Sequence, residues 1–183
     1  TQTNDPPPQL ILVMGVPGSG KTTLSQALVP NCRCVYLDNN FIADAFFPDT
    51  RMAEEYKALR RNIYDALYAI VEANLKLGNS VLLDVPHVTH MQRPEWQAHI
   101  QSIAANGNAQ LCIVRCYCTE RVLWERLTGR AENRDKWKLD NWTEFLSREP
   151  IMVEIPFPHL DVDTELTHRQ NVNSVLAYLH DMK

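Results

Sequence analysis

The sequence predicts a single α/β domain built on a parallel sheet, and three observations carry that prediction. Short, continuous apolar runs recur at residues 10–14, 34–37, 81–83 and 111–114, with a weaker one at 159–162. Strands buried on both faces read this way, and burial on both faces belongs to parallel sheets. Helical patterns separate the runs, as expected where parallel strands are joined by crossovers. The chain has 183 residues, 45% of them hydrophobic and 22% charged. That suits one globule with a sizeable core and excludes disordered, collagenous and coiled-coil chains.

The elements follow in order. Residues 1–9, with prolines at 6, 7 and 8, read as a flexible leader, and the domain is expected over 10–183. A helix over 21–29 follows the first strand. Over 52–77, Leu59, Ile63, Leu67, Ile70, Val71 and Leu75 recur at helical spacing, and Gly78 offers a C-terminal stop. Thr89 with Gln92 has the form of a capping box opening a helix over 90–105. Thr119 opens another ahead of Val122, Leu123 and Leu127. Thr167 with Gln170 opens the last, which carries Val172, Val175, Leu176 and Leu179. Residues 142–162, with their scattered prolines, carry no clear pattern.

Charge and cysteine usage narrow the setting. Lys and Arg total 18 against 22 Asp and Glu, a net charge of -4, which argues against nucleic acid or a membrane surface as partner. No apolar run approaches the ~18 residues of a membrane span. The start has neither a positive region nor a hydrophobic stretch, so no secretory signal is visible. Five cysteines without C-x₂-C spacing fit a reducing cytoplasm and buried thiols better than a zinc site.

Directly after the first strand stands Gly15, Val16, Pro17, Gly18, Ser19, Gly20, Lys21, Thr22 and Thr23. Residues 15–22 fit G-x-x-x-x-G-K-[ST] at every fixed position, the Walker A pattern of a nucleotide-binding P-loop. Its glycines turn successive N–H groups inward to hold phosphate oxygens, and the following helix adds its positive end. Lys21 reaches the terminal phosphates and the Thr22 hydroxyl holds Mg²⁺. The fold expected is therefore the three-layer P-loop NTPase fold, with a central parallel sheet of about five strands. The guanine-reading N-K-x-D segment is absent, so ATP is the expected nucleotide.

Two strands end in acids at the carboxyl edge, where open parallel sheets bind ligands. Asp84 closes the run Val81-Leu-Leu as a Walker B acid would, beside Thr22 and the metal. Asp38 closes Cys34-Val-Tyr-Leu and reads equally as a general base for an attacking hydroxyl or as an Asx cap before Asn39 and Asn40. Between 121 and 138 lie six basic residues and three acids, +3 in an otherwise negative chain. Arg126 and Arg130, four apart on one helix face, suit a phosphate-covering lid over about 121–140, with Gly129 as a candidate hinge.

Together these residues make the chain resemble the small P-loop kinases related to polynucleotide 5′-kinase domains, zeta toxins and chloramphenicol phosphotransferase, from about residue 10 to 135. The resemblance implies that Asp38 is the general base and that 81–84 is the Walker B strand. It implies that Arg126 stabilises the transferring phosphoryl group and that Arg130 binds phosphate or lies against adenine. Polynucleotide kinases carry D-x-x-R, whereas here Phe41 stands at the fourth position. That points away from nucleic acid and toward a less charged acceptor.

The expectation is a cytoplasmic, ATP- and Mg²⁺-dependent phosphotransferase with an alcohol group of a small molecule as acceptor. Catalysis is assigned to Lys21, Asp38, Arg126 and Arg130, and the metal to Thr22 and Asp84. Residues 39–60, with Phe41, Phe46, Phe47 and Arg51, are expected to select the acceptor. Two alternatives stay open: a 5′-kinase on nucleosides or RNA ends, and an ATP-hydrolysing switch with no acceptor. His87, His90 and Arg93 lie near enough to Asp84 to touch a substrate, but read equally as ordinary loop and surface residues. Trp124, Trp137 and Trp142 read as lid packing, and Arg115, inside an apolar strand, needs a partner.

Overall fold

In the computed structural model, residues 6–47 and 54–182 are described. Five strands form one sheet in the order β2-β3-β1-β4-β5: β1 Gln9–Met14, β2 Val35–Asp38, β3 Val81–Val85, β4 Gln110–Tyr117 and β5 Leu160–Asp163. Every pairing is parallel. The expected three-layer fold is what forms, and the weak run at 159–162 is a true edge strand.

Period-two alternation in β1 builds the layers. Leu10, Leu12 and Met14 face a core shared with α3 (Glu54–Lys76) and α4 (Pro94–Asn106). Ile11 and Val13 face the opposite core, filled by Leu24 and Leu28 of α1 (Lys21–Cys32) and Val175 and Leu179 of α8 (His168–Asp181). A strand without one polar residue from Leu10 to Met14 is thus a strand between two helix layers.

A third cluster sits over the carboxyl edge of the sheet. Leu123 and Leu127 of α5 (Glu120–Arg130) join Val16 of the phosphate loop and Phe145 of α7 (Trp142–Arg148). Between them run a 3-10 turn at Asn133–Asp135 and the short α6 (Lys136–Asp140). This is the segment expected to form a lid, and it packs directly on the P-loop.

Local expectations need four corrections. Thr89 and Gln92 do not cap a helix; Thr89–Gln92 is a 3-10 turn, and α4 starts only at Pro94, whose fixed φ and missing N–H make it a first helical residue. Helix α1 runs through Pro30 to Cys32 and ends at Arg33, which takes a left-handed φ of 46°. On α3 the buried stripe is Tyr56, Ile63, Leu67, Tyr68, Val71 and Leu75, while Leu59 and Ile70 fall on its exposed flank. Asn39–Phe46 forms a helix, α2, that apolar periodicity had not disclosed. The caps at Thr119 and Thr167 form as expected, the latter a full capping box.

Candidate active site

The loop between β1 and α1 is shaped by close approach. A Cβ on Gly15 would lie 2.6 Å from the Cys116 carbonyl oxygen, so the chain can pass over the end of β4 only without a side chain. Gly20, at φ 87°, is the N-cap of α1 and brings no side-chain cap, which leaves the first helical amides open to an anion. Thr164, one residue past β5, holds this loop: its hydroxyl reaches the carbonyls of Ser19 (2.8 Å) and Tyr117 (3.0 Å). Arg126 donates to the Thr164 hydroxyl and carbonyl, both at 2.8 Å, and to the Gly18 carbonyl at 3.4 Å. Sequence reasoning missed Thr164, because no local motif marks a residue that meets the P-loop only through the sheet.

Two cavities meet at the loop. One, of about 430 Å³, is lined by Gly20, Lys21, Thr22, Arg126 and Arg130, with Leu166 and Asn171 opposite. The other, of about 170 Å³, shares Lys21, Thr22 and Arg130 and adds Asn39, Asn40, Tyr56, Arg60, Arg134 and Lys138. The first lies at the N-terminus of α1; the second shares Lys21, Thr22 and Arg130 with it and extends to α3 and the segment after α5.

Asp38 and Asp84 are register partners on adjacent strands, so the two carboxylates stand side by side. The Tyr36 hydroxyl donates to Asp84 Oδ2 at 3.3 Å, while Oδ1 is buried without a hydrogen-bond partner. Burial pushes the Asp84 carboxyl up to about 6; Lys21 draws it down and Asp38 raises it. Burial lowers the Lys21 ammonium, against the pull of Asp84 and Asp38. An orphaned carboxylate oxygen and the Thr22 side chain, which acts on it, form the hard-oxygen donor set that suits Mg²⁺ on a triphosphate. Asp38 Oδ1 accepts from the Asn40 amide at 2.8 Å, so the Asx cap is real; it occupies one carboxylate oxygen and fixes where the group stands.

The lid arginines are tied down. Arg130 pairs with Asp135, a fully buried acid that also binds Lys138 at 2.8 Å. Gly129 lies within α5 with open space around it and no left-handed φ, so it acts as a helical residue in this structure and not as a bend. Trp137 and Trp142 pack on the lid core, and Trp124 meets Trp142 edge-on at 4.9 Å, as lid packing requires.

Other candidates sort clearly. Arg115 grips Asp161 of β5 with two 2.7 Å bonds, which makes it structural. Cys34 directly precedes β2 and Cys112 lies in β4, strands separated by β3 and β1, and all five cysteines are free thiols. Phe41, expected to help select the acceptor, does not line the second cavity: α2 turns it outward, 58% exposed and edge-on to Tyr36 at 5.5 Å. Arg134 reaches in instead, donating to Asn40 Oδ1 at 3.2 Å. Phe46 is exposed and Phe47 packs on Tyr56, while Arg51 lies outside the described residues. No helix among the described residues is long and apolar enough to cross a membrane.

His87 is buried, with Nε2 2.6 Å from the Tyr68 hydroxyl, and its ring lies tilted against that of His90, centroids 4.4 Å apart. Burial pushes His90 down to about 4, helped by Arg93 and Arg60. Because the unfolded imidazole protonates near 6.5, the unfolded state takes up more protons between pH 6.5 and about 4. Folding stability contributed by neutral His90 is therefore present above that window and lost as pH falls through it. A His90→Gln variant is expected to lose roughly 1–2 kcal/mol less than wild type across this window, after allowing for solvent screening. Urea titrations of both proteins at pH 7 and pH 4 measure the difference.

Comparison with known proteins places this geometry. A provisionally assigned kinase from Chloroflexus aurantiacus superposes with a TM-score of 0.73 at 24% identity, covering 94% of this chain and 99% of that one. A gluconokinase from Sinorhizobium meliloti gives 0.65 at 19% identity, covering 97% and 95%. The Mycobacterium tuberculosis APS kinase CysC, in complex with AMPPNP and APS, gives 0.64 at 15% identity, covering 96% and 99%. At these identities the likeness is one of fold, the P-loop fold of small kinases. No curated protein sequence matches the chain. A family model described as an AAA domain, AAA_33, matches residues 10–149, from the first strand through the P-loop, both acids and the lid, and the chain belongs to that family.

Proposed function

We propose that this protein is an ATP-dependent phosphotransferase that moves the γ-phosphoryl group onto a hydroxyl of a small molecule. The observation that carries this reading is the pair of cavities joined at Lys21, Thr22 and Arg130. A donor site and an acceptor site that meet at one lysine suit in-line transfer. A switch that only hydrolyses ATP has no use for the second cavity. The small-kinase fold of the neighbours supports the same reading.

In this mechanism the P-loop amides of Gly18 and Gly20 and the N-terminus of α1 hold the β- and γ-phosphates. Thr22 and Asp84 would hold Mg²⁺, which when bound neutralises charge between those phosphates. Lys21, its ammonium already desolvated, pairs with the terminal phosphate oxygens. Asp38, held by its own cap to the Asn40 amide, accepts the proton of the attacking hydroxyl. Arg126 and Arg130 close over the charge that develops on the moving phosphoryl group. Nothing in the acceptor cavity demands a polymer, so a soluble small molecule remains the acceptor class.

The test is a screen of ADP formation against sugars, sugar acids, hydroxy acids and nucleosides, with ³¹P NMR of the products. At least one acceptor is expected to raise ADP formation about 10²-fold or more over the rate without acceptor, with a new phosphate ester formed. Hydrolysis to inorganic phosphate alone, unaffected by every compound, would favour the switch.

A further inference from the structure

The acceptor-side cavity carries charge of its own. Arg60 from α3, Arg134 from the 3-10 turn and Lys138 from α6 line it, and none of the three lines the nucleotide cavity. With Lys21 and Arg130 that makes five cations, and no Asp or Glu is among the lining residues. Arg134 and Lys138 are held in place by acids behind them, Glu132 and the fully buried Asp135. Arg60 has no ion-pair partner among the described residues. Its guanidinium lies 5.8 Å from the centre of the Tyr64 ring, which holds a flat donor fork against the cavity wall.

A neutral polyol needs hydroxyl and amide partners, which Asn39, Asn40 and Tyr56 already supply. It gains nothing from three further cations; Arg134 and Lys138 are paired behind the cavity with Glu132 and Asp135, and Arg60 is left as the guanidinium that an anion on the acceptor would meet. The geometry points to an acceptor that carries its own anionic group, a phosphate, sulfate or carboxylate. That group sits against Arg60, Arg134 and Lys138, with the reacting hydroxyl turned toward Lys21, at the end of the cavity that Asn39 lines. The inference rests on the phosphotransferase reading and reverses the less charged acceptor that Phe41 suggested. The rest of the acceptor has room beyond Arg60 and Tyr64, which also border a wider groove of about 730 Å³ lined by His87, His90 and Trp96.

The test fills the P-loop first, so that an added anion cannot enter it. Protein saturated with AMPPNP and Mg²⁺ is titrated calorimetrically with inorganic phosphate, and separately with acetate, at constant ionic strength. Saturable binding is expected with a Kd of about 1 mM, weakened at least about tenfold in Arg60→Ala. Lys76→Ala, an equal loss of charge at the far end of the same helix, is expected to leave it unchanged. Phosphate bound well ahead of acetate marks a phosphorylated or sulfated acceptor; acetate bound equally marks a carboxylate. No saturable binding with nucleotide in place, or binding untouched by Arg60→Ala, overturns the inference and leaves the kinase standing. Failure of AMPPNP itself to bind overturns both.

Discussion

An Asp38→Asn protein is expected to bind ATP as the wild type does and to phosphorylate its acceptor about 10³-fold more slowly. The substitution is nearly isosteric, and the asparagine Oδ1 can still accept from the Asn40 amide at the 2.8 Å now observed. Helix α2 therefore keeps its cap, and the acceptor cavity keeps Asn39 and Asn40. What disappears is the oxygen that can take a proton. A second effect runs the other way: without the Asp38 charge, Asp84 ionises more readily, because Asp38 now raises its pKa. Metal and nucleotide binding should thus be spared or improved, and the loss should fall on the chemical step. Single-turnover measurements with ATP in excess separate the two. Transfer at the wild-type rate would remove Asp38 from the reaction, whereas slow basal hydrolysis of ATP should survive the substitution.

Lys21→Ala is the second large effect, and it falls on binding far more than on stability. Nucleotide affinity is expected to fall about 10²-fold or more, since one charge-assisted contact to phosphate in a dry site is worth about 3 kcal/mol. Thermal stability is expected to change far less than affinity, because the burial cost that lowers the ammonium's pKa is set against its attraction to the buried Asp84 and Asp38. Asp84 loses the cation that holds its pKa down, so it climbs above about 6. Residual nucleotide binding then weakens further below pH 7 and recovers as the pH rises through the new value. Calorimetry with ATP and Mg²⁺ at pH 6.5 and 8, alongside thermal denaturation, reads all three. Undiminished affinity would show that the loop does not grip a phosphate.

Much of the candidate site was legible because its signals are short-range. The P-loop and the acids at the ends of β2 and β3 lie within a few residues of a strand end, where parallel-sheet topology dictates one shared edge, and the arginine pair lies on α5, the helix that follows β4 from that edge. Phe41 shows the opposite case. It occupies a motif position, yet the Asp38 cap starts α2 and swings it away from the cavity, while Arg134, 94 residues later, reaches Asn40 in its stead. Thr164 is equally unmarked in sequence and equally close to the loop.

What the chain alone determined was the layered α/β fold and the phosphate cradle, because two-face burial and a glycine turn are written in consecutive residues. Tertiary structure alone decided the charge of the second cavity. Arg60, Arg134 and Lys138 come from three elements, and only the packing of α3 and the lid around one sheet edge brings their cations to a single small volume.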